Sequence, residues 1–124
     1  MHIEKYKNHK DLAEKYPEAD GRYDGVLIAG LIEEIENNEK DKQLIVLHTS
    51  TSHGPTYYQK YPEEFEVFTP VCTTVEMAKA DRAELVNAYD NTILYTDYLL
   101  HSVIELLRDV EDRRCVMIYL SDHG

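Results

Sequence analysis

The sequence predicts an α/β fold, a partial sheet of parallel strands with flanking helices. Two β-rich apolar runs, Gln43–Thr49 and Val116–Leu120, are bounded by turn residues and read as strands buried on both faces. Between them lies the longest stretch of helical period, from Asp81 to about Asp109. Strand, helix-bearing crossover and strand make a βαβ unit. Such crossovers are right-handed in nearly all cases, which sets the two strands parallel and brings both carboxyl ends to one edge.

Taken in order, residues 1–22 are polar, carry no sustained period, and are punctuated by Tyr16-Pro17 and Asp20-Gly21. Little packing is expected there beyond one short helical turn, ahead of a single unit over residues 23–124. From Tyr23, the residues Leu27, Leu31 and Ile35 recur at helical spacing with Ile28 and Ile32 beside them, while Glu33, Glu34 and Glu36 fall on the other side. This amphipathic helix should end near Asn37-Asn38. A polar connector leads into the first strand, inside which His48 reads as a satisfied core histidine. Ser50–Tyr58 must be a loop, because Gly54-Pro55 cannot continue a strand or a helix interior. Pro62 and Pro70 keep Gln59 to Thr74 irregular. In the long helix Leu85, Tyr89, Ile93, Leu99, Leu100, Val103, Ile104 and Leu107 cover one broad apolar face. Asp109 to Arg114 form a charged turn before the terminal strand.

Composition narrows the function classes. At 124 residues the chain holds one domain at most. Its net charge of −11, from 24 acidic and 13 basic residues, opposes binding to nucleic acid or an anionic membrane surface, since both need concentrated Lys and Arg. No run approaches the roughly 18 apolar residues of a spanning helix, and Met1–Lys7 has no signal-peptide core, so this chain by itself is expected to be soluble and cytoplasmic. Cys72 and Cys115 are expected to be free thiols, Cys115 within the core.

On the shared strand edge stand His53, from the loop after the first strand, and Asp122 and His123, which follow the second. Open α/β sheets place their ligands at that edge. Asp122 and His123 offer one hard oxygen and one imidazole nitrogen, a donor set that suits zinc or a similar divalent ion. Spacing alone leaves two readings open. One is a metal or phosphate site; the other is a surface histidine at position 53 and a plain Asp-His-Gly turn with Gly124 supplying a positive φ.

Longer stretches carry a resemblance that spacing does not. Leu47-His-Thr-Ser-Thr-Ser-His-Gly-Pro-Thr-Tyr-Tyr58, Phe68-Thr-Pro-Val-Cys72, Ala88-Tyr-Asp-Asn-Thr-Ile-Leu-Tyr-Thr-Asp-Tyr98 and Ile118-Tyr-Leu-Ser-Asp-His-Gly124 resemble, in order, the signature stretches of the bacterial phosphoethanolamine transferases. These enzymes modify lipid A or other surface glycans and form part of the sulfatase-like branch of the alkaline phosphatase superfamily. The resemblance spans about Tyr23 to Gly124 and implies a partial alkaline-phosphatase/sulfatase-like sheet.

The resemblance also implies roles for individual residues. Asp122 and His123 inherit ligation of a catalytic zinc ion, and His53 inherits a place near that centre, against the transferred phosphate group or a second zinc. Asn91 and Thr92, in the middle of the long helix, are expected to be scaffold. The implied chemistry is a double displacement: a zinc-activated Thr attacks the phosphate of phosphatidylethanolamine, and a lipid A phosphate or a sugar hydroxyl then takes the phosphoethanolamine group. The implied parent enzyme sits at the inner membrane with its catalytic domain in the periplasm. The family's nucleophilic Thr, a Glu ligand, a further His and the membrane-anchoring region have no counterpart in these residues, so a partial catalytic domain, inactive by itself, is expected. The Cys that would pair with Cys72 is also missing, Ala80 and its neighbours holding none. Related expectations are a sulfatase-fold enzyme of another specificity, such as a phosphoglycerol transferase or a sulfatase, and a non-catalytic binding module.

Overall fold

The computed structural model describes residues 5–76 and 80–121. Three α-helices, α1 (His9–Lys15), α2 (Val26–Glu36) and α3 (Arg82–Arg108), are joined by long connections, with short 3-10 turns at Tyr57–Gln59 and Glu63–Phe65. Both helices expected from the apolar period are present, with ends close to those expected.

Residues 5–22 pack more than expected. A reciprocal capping box starts α1: Asn8 Oδ1 accepts the Asp11 N–H at 3.0 Å, and the Asp11 carboxylate accepts the Asn8 N–H at 3.0 Å. Leu12, which has no periodic neighbours in sequence to announce it, is buried against Val26 and Leu27 of α2, and Tyr16, Ala19 and Leu47 close around this cluster. One apolar residue and two caps are enough to hold a two-turn helix when a larger helix offers the complementary face. Lys7 with Glu34, and Lys15 with Glu33, tie the same pair of helices at their rim.

In α3, Asp81 accepts the N–H groups of Ala83 and Glu84 and so caps the first turn. Its packed face is Ala88, Asn91, Thr92, Tyr95, Leu99 and Val103. That face is rotated from the one the apolar residues outline, and Tyr89, Ile93 and Ile104 remain exposed. The reason is that two polar residues, Asn91 and Thr92, are turned inward to serve loops. Tyr95 and Leu99 join Tyr61 in a second cluster, closed by Tyr23, Ile28 and Phe65, with the Phe65 and Tyr95 rings 4.8 Å apart.

The expected sheet is not formed: among the described residues there is no strand. Ile45 is half-buried and Leu47 packs on the Leu12 cluster, but Leu44 and Val46 are 77% and 72% exposed. Val116, Ile118 and Leu120 are 77–84% exposed. Two parallel strands draw their hydrogen bonds and their second buried face from neighbouring elements. The described residues supply no further strand, so a lone pair would bury too little to form. Two expectations fall with the sheet. His48 is exposed rather than a core histidine, and Cys115 is exposed because the run that it opens does not pack. Both cysteines are free thiols, Cys72 being buried beside the start of α3.

Candidate functional site

The loop after residue 49 is the best-defined part of the predicted edge. Asp24, just before α2, is 3% exposed, and its carboxylate gathers the start of this loop. Oδ2 accepts the N–H groups of Ser50 and Thr51, each at 2.7 Å, and the Thr51 hydroxyl at 2.5 Å. On the other oxygen, Oδ1 lies 2.7 Å from His9 Nε2. From the opposite side, α3 holds Ser52, whose Oγ lies 3.1 Å from the Thr92 hydroxyl oxygen and 3.4 Å from that of Thr96. The chain then turns, with the His53 N–H donating to the Ser50 carbonyl at 3.1 Å. The loop is thus fixed at three successive residues before it presents His53.

The imidazole of His53 is exposed, and its Nδ1 lies 2.9 Å from the Gly54 carbonyl. A carbonyl oxygen only accepts, so Nδ1 carries the proton in that bond. In the neutral ring Nε2 then bears the lone pair, the tautomer needed to accept a proton or to bind a metal. A Cβ at position 54 would lie 2.8 Å from the Tyr57 hydroxyl and 2.9 Å from its Cζ, so a larger residue there would have to displace the Tyr57 ring. Tyr57 is itself held edge-on by Tyr89 of α3, with ring centroids 5.4 Å apart.

A second loop is anchored by the neighbouring residue of α3. Asn91, fully buried, bonds through its carboxamide to the backbone of Val67 and Phe68 and to the Tyr61 hydroxyl. Burial raises the pKa of Tyr61, against the opposing pull of the Asn91 hydrogen bond. Tyr95 is pushed up to about 12, chiefly by burial, and the carboxylates of Asp24 and Glu64 add to the rise while the Gly25 N–H bond opposes it.

Of the three residues marked by the sequence, the structure describes one. Asp122 and His123 lie outside the described residues. Among the described residues no three His, Cys, Asp or Glu side chains converge as a metal would require, and no helix is long and apolar enough to cross a membrane. Asp24 cannot fill the gap, because it is buried and already engaged by the loop and by His9. It was also invisible to the sequence reading: an Asp just ahead of an amphipathic run reads as a helix cap, whereas here the N-cap is Gly25 and the carboxylate serves another segment.

Comparison with known proteins follows the same outline. Residues 2–124 match the sulfatase family. The chain is 50% identical over 103 residues to the phosphoethanolamine transferase EptA of Escherichia coli (strain K12), covering 82% of this chain and 19% of that protein. Over 124 residues it is 39% identical to EptA of Helicobacter pylori, covering 98% of this chain and 24% of the relative. Among solved structures it resembles the C-terminal periplasmic domain of phosphoethanolamine transferase EptC from Campylobacter jejuni. That match has a TM-score of 0.68 at 47% identity and covers 73% of this chain and 29% of the other. The chain spans a quarter or less of the two curated relatives.

Proposed function

Because the chain belongs to the sulfatase family, we propose that it is part of the catalytic domain of a phosphoethanolamine transferase. The enzyme moves phosphoethanolamine from phosphatidylethanolamine to lipid A or another surface glycan, at the periplasmic side of the inner membrane. The observation that carries this reading is the coincidence of 50% identity to a transferase with a loop, Ser50–Pro55, that the chain holds rigidly from two sides. In this reading His53 meets the transferred phosphate group, and Asp122 with His123 contributes an oxygen and a nitrogen to a zinc site. Zinc would supply Lewis-acid stabilisation of charge on the phosphoryl oxygens. The runs 43–49 and 116–120 become neighbouring parallel strands when the rest of the domain supplies their partners, which accounts for their bare apolar faces here.

Two experiments test the reading. Two ligands cannot complete a tetrahedral site, so the purified chain should bind zinc weakly and release no product from a phosphodiester. Turnover by the isolated chain that His123→Ala abolishes would overturn the claim that it is only part of a site. The second grafts the matching residues of this chain into Escherichia coli EptA over the 103 aligned positions. Mass spectrometry of lipid A should show the added group, and His53→Ala, Asp122→Ala or His123→Ala in the graft should remove it. A folded, membrane-inserted chimera that leaves lipid A unmodified would defeat the assignment.

A further inference from the structure

Asp24 is the buried carboxylate among the described residues, and the chemistry proposed above assigns it no step. Four close partners use its two oxygens: the Ser50 and Thr51 N–H groups, the Thr51 hydroxyl and His9 Nε2. The Ser50 hydroxyl lies at the outer limit, 3.5 Å from Oδ1. A carboxylate this buried and this engaged is closed to a metal or a substrate proton. What remains to it is geometry. Every loop donor it holds precedes His53 by two or three residues, and the His53 N–H closes back on Ser50.

We propose that Asp24 is a positioning residue for His53, fixing the loop that presents the imidazole to the transferred phosphate group. The proposal rests on the reading of His53 given above and adds to it the element that pre-organises the ring. Catalytic side chains lose efficiency when displaced by about 1 Å, so a rigid mount matters as much as the ring itself. Asp24 lies just before α2 while Thr92 and Thr96 belong to α3, and the loop therefore bridges two separately anchored elements. Asp24 controls the near end of the bridge, and Thr92 controls the far end through Ser52.

The test is made on the 124-residue chain by NMR, without ligand. Asp24→Asn keeps the size of the side chain but replaces one acceptor oxygen by a donor facing the loop N–H groups. Charge-assisted bonds of this kind are expected to contribute about ten- to hundredfold in local opening, so hydrogen exchange at Ser50, Thr51 and His53 should accelerate by that factor. The His53 ring nitrogens should move from the Nδ1–H pattern toward a tautomer average. Exchange in the middle of α3, at Tyr95, Leu99 and Val103, should stay within about twofold of the wild type. Leu31→Ala, which removes a buried side chain of α2 that makes no hydrogen bond to the loop, should speed exchange broadly and leave the His53 tautomer unchanged. Unaltered His53 signals in Asp24→Asn, or changes that merely track α3, would overturn the proposal. Should Asp24→Asn fail to fold, Thr51→Val removes a single bond to the carboxylate and decides by the same His53 signature. Adding O-phosphoethanolamine afterwards tests the other reading separately: ligand-free signals decide positioning, and ligand-induced shifts at His53 decide contact with phosphate.

Discussion

Asn91 and the backbone of Phe68 form a matched pair: Asn91 Oδ1 accepts the Phe68 N–H at 2.9 Å, and Asn91 Nδ2 donates to the Phe68 carbonyl at 3.0 Å. A side chain here does what a neighbouring strand does for a β-residue, satisfying both backbone groups at once. Oδ1 also accepts the Val67 N–H at 3.0 Å, and Nδ2 reaches the Tyr61 hydroxyl at 3.2 Å. Asn91→Ala would strand several of these groups in a site closed to water. A loss of about 2–4 kcal/mol in urea unfolding is expected, since each buried group left unpaired costs about 1–3 kcal/mol. Asn91→Asp, which sets an acceptor against the Phe68 carbonyl and buries a charge, should cost at least as much as Asn91→Ala. A loss below about 0.5 kcal/mol, the range of ordinary surface changes, would show that the loop is held by something else.

The alkaline limit of stability should belong largely to Tyr95. Its phenol is pushed up to about 12, first by burial, while an unfolded tyrosine ionises near 10. The folded state therefore keeps a proton that the unfolded state releases. This contribution is complete below pH 10 and is lost as pH rises from 10 through about 12. Tyrosinate absorbance should show Tyr95 titrating last, after the exposed phenols and after Tyr61, which burial also raises, and Tyr95→Phe should remove that last step. Tyr95→Phe also leaves the Gly25 N–H, now bonded to the phenol oxygen at 2.9 Å, without that acceptor. A pH titration in which Tyr95 ionises with the exposed tyrosines would contradict the buried environment.

These two residues show what the sequence could and could not disclose. The apolar period of α2 and the length of α3 are local signals, repeated every three or four residues, and both helices are where that period puts them. Asn91 and Tyr95 lie on the same helix, yet the direction of its packed face follows from loop partners more than twenty residues away, which no local pattern records. Asp24 is a similar case, since its partners Ser50 and Thr51 are distant in sequence. The strand runs at 43–49 and 116–120 carry a correct-looking β pattern, but a sheet is a property of neighbours, and the described residues provide none. His53 is marked by the resemblance that the stretch Leu47–Tyr58 carries, since a histidine in a hydroxyl-rich loop is by itself ordinary. The residues that hold its loop, Asp24 and Thr92, carry no such mark.

At low pH the rim between α1 and α2 should weaken first. A hydrogen bond from Lys15 lowers the pKa of Glu33, and one from Lys7 lowers that of Glu34. Carboxylates held below their unfolded value of 4.5 add stability that is present above that pH and is lost as pH falls through the lower folded values. Lys7→Met should shift the acid unfolding midpoint to higher pH and reduce its sensitivity to salt. An acid midpoint unmoved by Lys7→Met would assign acid unfolding to other groups.

Gly21 packs so closely on α1 that a Cβ would stand 2.3 Å from Ala13 Cβ, well inside any real contact. The neighbour is the short side chain of a helical residue, which has no rotamer through which to yield. Gly21→Ala should push α1 away from α2 and cost about 1–3 kcal/mol, the usual range for overpacking. The double variant Gly21→Ala with Ala13→Gly should recover most of that loss, although glycine inside α1 carries its own cost of about 1 kcal/mol. If the single variant unfolds at the wild-type urea concentration, then α1 is not docked as described.

The bare apolar runs make a prediction that separates the chain from the whole domain. Val46 and Ile118 are 72% and 77% exposed, so Val46→Lys and Ile118→Lys should change the stability of this chain by no more than about 0.5 kcal/mol. Each should also raise solubility, because a charge blunts an unpaired apolar edge. Inside the Escherichia coli EptA graft the same positions would lie in strands covered on both faces, where a lysine has no partner. There the two substitutions should abolish lipid A modification and lower the amount of folded protein. Tolerance in both settings would sink the assignment of these runs to a sheet. Intolerance in the isolated chain would mean that the runs are already packed within it.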